Sequence, residues 1–270
     1  RHGGDGADGG VNDATFIRAE GEGRPLVLVH GVGLDHGMWD PVMGYLTDSR
    51  RVIRYDLIGH GRTPDQPGLR SIRDFVAQLV GVLDSCGLES ADIAGLSLGG
   101  LITVGMAARH PDRVGRIALL NTAFRRNAEQ QASIQRRLAL AGEEGLATMA
   151  DMAVDRWFTA AWQAEHPEQV EAVRQRLAGN DLDSYLKAYQ VFVDGDPGMP
   201  GGAALIDAPT LAMTGELDPG STPAMSVAMA REIPNGQARI LIGLHHLPPI
   251  EAPRTFAESL LDFLDQEVAR

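Results

Sequence analysis

Gly95-Leu96-Ser97-Leu98-Gly99 sets a serine between two glycines, after the apolar run Ala91-Asp92-Ile93-Ala94 and before a helical pattern from Leu101 to Arg109. In that strand-to-helix context a G-x-S-x-G segment is a nucleophile elbow. The serine rides a tight turn, and glycines flank it because side chains there would strike neighbouring backbone. A helix that opens just after Ser97 aims unpaired amides and the positive end of its dipole at the reacting atom, which favours a developing oxyanion. The Leu98 N–H is one expected donor. Alone, the segment would equally suit a serine capping a helix in a glycine-rich turn, so three further features matter.

His30-Gly31-Val32-Gly33 follows the run Leu26 to Val29, and its glycines let the chain turn and offer the Val32 N–H as a second oxyanion donor. Asp218, in Thr214-Gly215-Glu216-Leu217-Asp218, stands where the acid of a serine, acid, histidine order falls, with Glu216 as its nearest rival. A strand-end aspartate is otherwise a turn former or a helix cap. His245 and His246 follow the run Ala238 to Ile242 and are the histidines of the C-terminal third, so one of them is the expected base. An imidazole, with an ordinary pKa of about 6.5, takes a serine proton when a carboxylate holds the correct tautomer. Together these residues describe attack of Ser97 on a carbonyl carbon and an acyl-enzyme that water releases.

The elements that must position them form an alternating series. Leu26 to Val29, Arg51 to Tyr55, Ala91 to Ala94, Arg116 to Leu120, Thr210 to Met213 and Ala238 to Ile242 are short apolar runs, expected to be buried strands. Helical patterns lie between and after them at Ile72 to Cys86, Leu101 to Arg109 and Thr255 to Val268. Strand alternating with helix implies a mostly parallel sheet covered on both faces. The alternation stops between about Phe124 and Ile206, where polar helical stretches such as Gln130 to Leu140 and Pro167 to Leu177 dominate. Residues 14–123 and 207–270 are therefore expected to form the α/β core and 124–206 a helical cap insertion, ending in the Gly and Pro cluster Asp194 to Gly202. The Gly- and Asp-rich start, 1–13, reads as a disordered tail.

A net charge of −12 argues against a nucleic-acid surface, which needs clustered Lys and Arg. The apolar runs fall far short of the roughly 20 residues of a membrane-spanning helix, so no membrane partner is expected. The single cysteine, Cys86, cannot form an internal disulfide, and a cytoplasmic setting is the default expectation. Cys86 reads as a small buried hydrophobe near a helix end. His30, His36, His60, His110 and His166 are scattered without metal-ligand spacing, so no metal is expected. His60 and His110 read as turn and helix-end residues. Gly95 to Gly100 lacks the Lys-Ser/Thr ending of a phosphate loop.

With these residues in place, the chain resembles the α/β-hydrolase superfamily from its first strand to its last helix. Tyr55-Asp56-Leu57-Ile58-Gly59-His60-Gly61-Arg62-Thr63 is similar to a loop of that family, which commonly has arginine where this chain has Ile58. His246-Leu247-Pro248-Pro249-Ile250-Glu251-Ala252-Pro253 matches the family's H-x-x-x-x-E-x-P loop, which selects His246 and leaves His245 where a small residue is usual. Glu251 is expected to begin the last helix, where the dipole favours a carboxylate. Gly95 to Gly100, Ala108 to Val114 and Asp155-Arg156-Trp157-Phe158-Thr159 look like the 3-oxoadipate enol-lactonases and related esterases, although His30-Gly31 differs from the pair those lactonases often carry.

The resemblance implies an α/β-hydrolase fold and hydrolysis of a small ester or enol-lactone by Ser97, His246 and Asp218, without a cofactor. It also implies that Trp157 and Phe158 line the pocket and that Arg156 meets a substrate carboxylate. A cofactor-free perhydrolase or a carbon-carbon bond hydrolase would use the same three residues, and a non-catalytic ligand receptor would keep only the fold. Dehalogenases and epoxide hydrolases of this shape use an aspartate nucleophile, which Ser97 disfavours.

Overall fold

A strand sends successive side chains to opposite faces, so a strand that is apolar on both faces must be covered on both. In the computed structural model, which describes residues 14–195 and 202–266, helices do this. The tail expected at 1–13 and the middle of the connector, 196–201, lie outside the described residues.

The first half runs β1 (Ile17–Glu20), β2 (Arg24–Val29), α1 (Asp40–Leu46), β3 (Arg50–Tyr55), α2 (Ile72–Ser85), β4 (Ala91–Leu96), α3 (Leu98–Arg109) and β5 (Val114–Leu120). Four helices follow: α4 (Ala128–Trp157), α5 (Ala160–Glu165), α6 (Pro167–Ala178) and α7 (Leu182–Gly195). The chain returns with β6 (Thr210–Gly215), α8 (Pro223–Glu232), β7 (Gly236–Leu241), α9 (Pro248–Glu251) and α10 (Pro253–Leu264). The strands form one sheet in the order β1-β3-β2-β4-β5-β6-β7. β1 pairs antiparallel with β3, and the other neighbours are parallel. This is the mostly parallel α/β sheet expected from the alternation.

The period of two is visible in the packing. Val27 and Val29 join Ile53, Ile93 and Ile117 beneath Phe75 and Leu79 of α2 and Ile102 of α3. Leu26 and Leu28 face the other way, with Val52 and Leu211 against Val42 and Leu46 of α1 and Phe256, Leu260 and Phe263 of α10. Each such large side chain contributes about 1.5–3 kcal/mol on burial, so the two layers fix the strand ends from both sides.

Some elements differ from expectation. β1, α1 and α8 are not foreseeable from apolar pattern. Arg18 and Ala19 are exposed and no residue of β1 is fully buried, and it is a strand because it pairs with β3 at the sheet edge. α1 and α8 are short and begin with a proline in the first turn, so neither completes a clear period. β7 stops at Leu241 because Ile242 is 75% exposed at the turn into Gly243, which has φ 74. α3 starts at Leu98 and α10 at Pro253, each earlier than expected.

Between β5 and β6 the described residues are helix and turn. α4 opens with a capping box in which Asn127 and Gln130 exchange side-chain-to-backbone hydrogen bonds, and it breaks at Gly145, whose φ of 80 is not helical. No helix among the described residues is long and apolar enough to cross a membrane.

Candidate active site

Open parallel sheets bind ligands beyond the carboxyl ends of their strands. Here β2 leads into Val32, β4 into Ser97, β6 toward Asp218 and β7 toward His246. The register sets these ends side by side, with Val29 opposite Gly95, Leu96 opposite Leu120, Leu120 opposite Met213 and Gly215 opposite Leu241.

Ser97 has φ 57 and ψ −114, a conformation that a non-glycine residue adopts at a strain of roughly 1–3 kcal/mol. Two backbone bonds over-determine it: Ser97 N–H donates to Leu120 O at 2.9 Å, and Gly100 N–H donates to Ser97 O at 3.0 Å. The flanking glycines are required by close approach, since a Cβ at Gly95 would collide with the Gly99 carbonyl and one at Gly99 with the Val29 carbonyl. The Leu98 amide has no acceptor among the described residues, as the first turn of a helix dictates. The Val32 amide is likewise unused, and Val32 lines the same cavity as Ser97.

His246 Nδ1 lies 2.7 Å from Asp218 Oδ2. Asp218 is 3% exposed, and its carboxylate also receives the Gly220 and Ser221 amides at 2.9 and 3.0 Å and the Asn121 side-chain amide at 2.8 Å. Burial alone would raise its pKa. The charge and hydrogen bond of His246, with the Asn121 and Ser221 donors, instead hold it below the ordinary carboxylate range. Glu216, the rival acid, is exposed and accepts the Gly243 amide at 2.9 Å. No hydrogen bond joins Ser97 to His246 among the described residues. In free enzymes that contact is often long and tightens only around substrate.

His245 faces the end of α4. Its Nδ1 donates to Arg156 O at 3.1 Å, and the His246 amide donates to Trp157 O at 3.2 Å. The Trp157 ring stacks on His246 with centroids 5.7 Å apart. The expectation for Glu251 is corrected: it closes α9 instead of opening the last helix, and its carboxylate turns back to take the His245 amide on both oxygens. Burial pushes this carboxyl up to about 7.

His30 is a structural pin. Burial keeps its imidazole below the ordinary range, so it stays neutral, donating from Nδ1 to Gly31 O at 2.8 Å and accepting the Leu57 amide on Nε2 at 2.9 Å. It thereby fixes the Val32 turn. His60 is a turn residue as expected, but fully buried, which pushes it down to about 3. His36, Asp35 and Asp56 bring three potential ligand atoms within 4.8 Å of one another. Asp56 is already occupied by the His36 amide and ring and the Arg62 amide, and Asp35 by the Gly37 amide and Arg176. Cys86 is half-buried at the end of α2.

Ser97, Asp218, His246, Val32, Trp157 and Arg156 line one cavity of about 70 Å³. Phe158 does not. It is 1% exposed and stacks on Trp162 at 4.5 Å within the core cluster of Val154 and Val170, which corrects its assignment to the pocket wall. Other residues of the wall carry no signal in the sequence, among them Arg126, Arg137, Tyr185 and Tyr189. Asn121 gives one signal that went unused: it directly follows an apolar run, as Ser97 does.

The model for the α/β hydrolase family matches residues 26–259. The chain is 33% identical over 94% of its length to an (E)-2-((N-methylformamido)methylene)succinate hydrolase of Acinetobacter baylyi, covering 95% of that protein. It is 29% identical over 92% of its length to 3-oxoadipate enol-lactonase 2 of the same organism, covering 91% of it. Among solved structures, the enol-lactonase from Burkholderia xenovorans LB400 superposes with a TM-score of 0.86 at 31% identity, covering 93% of this chain and 96% of that one. With the sheet order, the elbow at Ser97 and these likenesses, the chain belongs to the α/β hydrolase family.

Proposed function

We propose that this protein is a serine hydrolase that cleaves a carboxylic ester or enol-lactone of a small molecule through an acyl-enzyme. The observation that carries this reading is the 2.7 Å contact of His246 Nδ1 with the buried Asp218, in the same cavity as a serine held at φ 57. With Nδ1 committed to Asp218, the His246 ring presents Nε2 as the acceptor for the Ser97 proton. Ser97 Oγ then attacks the carbonyl carbon, while the Val32 and Leu98 amides bind the oxyanion. Collapse of the tetrahedral intermediate expels the alcohol, protonated by His246. Water, deprotonated by the same ring, releases the acid and restores Ser97. No cofactor enters this scheme.

Likeness to proteins named as enol-lactonases supports the substrate class. In this reading residues 14–123 and 207–270 carry the chemistry and residues 124–206 form the cap, with Trp157 as an apolar wall and Arg156 as the partner of a substrate carboxylate. A cavity of about 70 Å³ favours short acyl groups.

The test is turnover of a panel of esters and lactones, with active-serine labelling by a fluorophosphonate. Ser97→Ala should abolish labelling and lower kcat by about 10⁴-fold or more without lowering Tm, because the oxyanion donors are backbone groups. Turnover near the parent level in that variant would refute the mechanism.

A further inference from the structure

The direction of an amide N–H is set by the carbonyl of its own peptide, because a trans peptide is planar and its C=O and N–H point opposite ways. For Val32 that carbonyl is Gly31 O, which accepts two hydrogen bonds, from His30 Nδ1 at 2.8 Å and from the Leu34 amide at 3.3 Å. The second bond closes a turn in which Gly33 has φ 76, the left-handed value that the third residue of a type II turn requires. The turn sits against the nucleophile, since a Cβ on Gly31 would lie 3.3 Å from Ser97 Cβ. With both donors on the Gly31 carbonyl, the Val32 N–H faces away from them.

The Gly33–Leu34 peptide is held from outside the sheet. Its N–H is the Leu34 donor, and its carbonyl, Gly33 O, accepts a hydrogen bond from Asn180 Nδ2 at 3.0 Å. Asn180 lies between α6 and α7, 147 residues away in sequence. The same nitrogen donates to Arg176 O and Leu177 O, both at 2.9 Å, at the end of α6. Three carbonyls around one end of the side-chain amide require the nitrogen there, its two hydrogens shared among them. Leu177 and Tyr185 close on the same turn: a Cβ on Gly33 would meet the Tyr185 ring at 3.0 Å and Leu177 Cγ at 3.1 Å.

We propose, building on the serine-hydrolase reading, that Asn180 is a positioning residue of the oxyanion hole. Its amide fixes the Gly33–Leu34 peptide, whose N–H fixes the Gly31–Val32 peptide, whose N–H in turn meets the oxyanion beside Ser97. Hydrogen bonds in such a chain polarise one another, so Asn180 both aims the Val32 N–H and strengthens it as a donor. Arg176 makes a separate tie from α6 to the same loop, its Nε 2.9 Å from Asp35 Oδ1, but that pair is partly exposed and lies beyond the two peptides.

The experiment reads the rate at which a fluorophosphonate inactivates the full chain. Ser97 Oγ displaces fluoride from phosphorus, His246 takes the hydroxyl proton, and the phosphoryl oxygen gathers charge where the carbonyl oxygen of a substrate would. Asn180→Ala should slow inactivation at saturating reagent about tenfold, against the roughly 10²–10³-fold cost of losing an oxyanion donor outright. The half-saturating concentration and the pH profile should not move, whereas a displaced His246 would shift the profile. Asn180→Ser keeps a hydroxyl that can cap the Arg176 and Leu177 carbonyls but is too short to reach Gly33, so it should lose as much rate as the alanine variant at a higher Tm. Arg176→Gln cuts the neighbouring tie and should stay within about threefold of the parent. Parent rates in folded Asn180→Ala or Asn180→Ser, or an equal loss in Arg176→Gln, would overturn the role of Asn180, while labelling of Ser97 in the parent keeps the hydrolase reading standing. A parent chain that the reagent leaves unlabelled at Ser97 would overturn both.

Discussion

The backbone N–H of His245 donates to both carboxylate oxygens of Glu251, 3.0 Å from each, at a site buried enough to push that carboxyl up to about 7. The folded chain therefore keeps a proton on Glu251 until about pH 7, whereas the unfolded chain releases it in the ordinary carboxylate range, near 4.5. Folding takes up a proton across that window, so the Glu251 contribution to stability declines as pH rises through it. Glu251→Gln removes this slope. Thermal unfolding from about pH 5 to about pH 8 should show the wild type losing on the order of 2 kcal/mol relative to the variant. Parallel curves would dissociate Glu251 from the titration.

In the proposed mechanism Asn121 positions Asp218. Its amide nitrogen reaches Asp218 Oδ2 at 2.8 Å, His245 O at 3.0 Å and Thr214 Oγ1 at 3.2 Å, from a backbone at φ 44. Asn121→Ala should lower kcat about tenfold with little change in KM, and destabilise by about 1–3 kcal/mol. Asn121→Gly should show the same rate loss but a higher Tm than the alanine variant, since glycine tolerates the left-handed backbone. Wild-type kcat in both variants would remove Asn121 from the site.

Asp218 and Glu216 make opposite predictions although two residues apart. Asp218→Asn should lower kcat/KM by about 10³–10⁴-fold, because an amide stabilises the wrong His246 tautomer, whereas Glu216→Gln should stay within about threefold. Because Asp218 titrates below the ordinary carboxylate range, its contribution to stability is present above that range and is lost as pH falls through it. The acid limb of the Tm profile should be shallower in Asp218→Asn. Equal rates for the two variants would return the acid's identity to open choice.

Trp157 and Phe158 divide function from stability. Phe158→Ala empties a core position and should destabilise by about 3–5 kcal/mol, with kinetics altered little while the protein stays folded. Trp157→Ala removes the ring stacked on His246 and should change kcat/KM more than Tm. The reverse pattern, read from denaturation curves and ester turnover, would exchange their roles.

That Ser97, Asp218, His246 and Val32 come together around one cavity was legible because each lies just beyond an apolar run, and strands of a parallel sheet end at a common edge. What sequence withheld is direction. Trp157 and Phe158 are neighbours, yet α4 ends at Trp157 and Phe158 is already extended at φ −136 and ψ 150, so their side chains part company and only packing decides which meets the pocket. Arg137 and Arg156 lie on either side of the break at Gly145, one of 32 glycines, and a polar helical pattern does not reveal that the two line one space. Glu251 meets the His245 backbone amide, and Asn121 meets Asp218 and Thr214 from 93 to 97 residues away in sequence, contacts that leave no compositional trace.

The end of α4 and the base loop share a fate. His245 Nδ1 is tied to Arg156 O and the His246 amide to Trp157 O, the two residues that also wall the cavity. A displacement of this wall would pull on the same two bonds, so the end of α4 and the loop that carries His246 form one mechanical unit, and the breadth of the cavity is tied to the seat of the imidazole that His246 holds against Asp218.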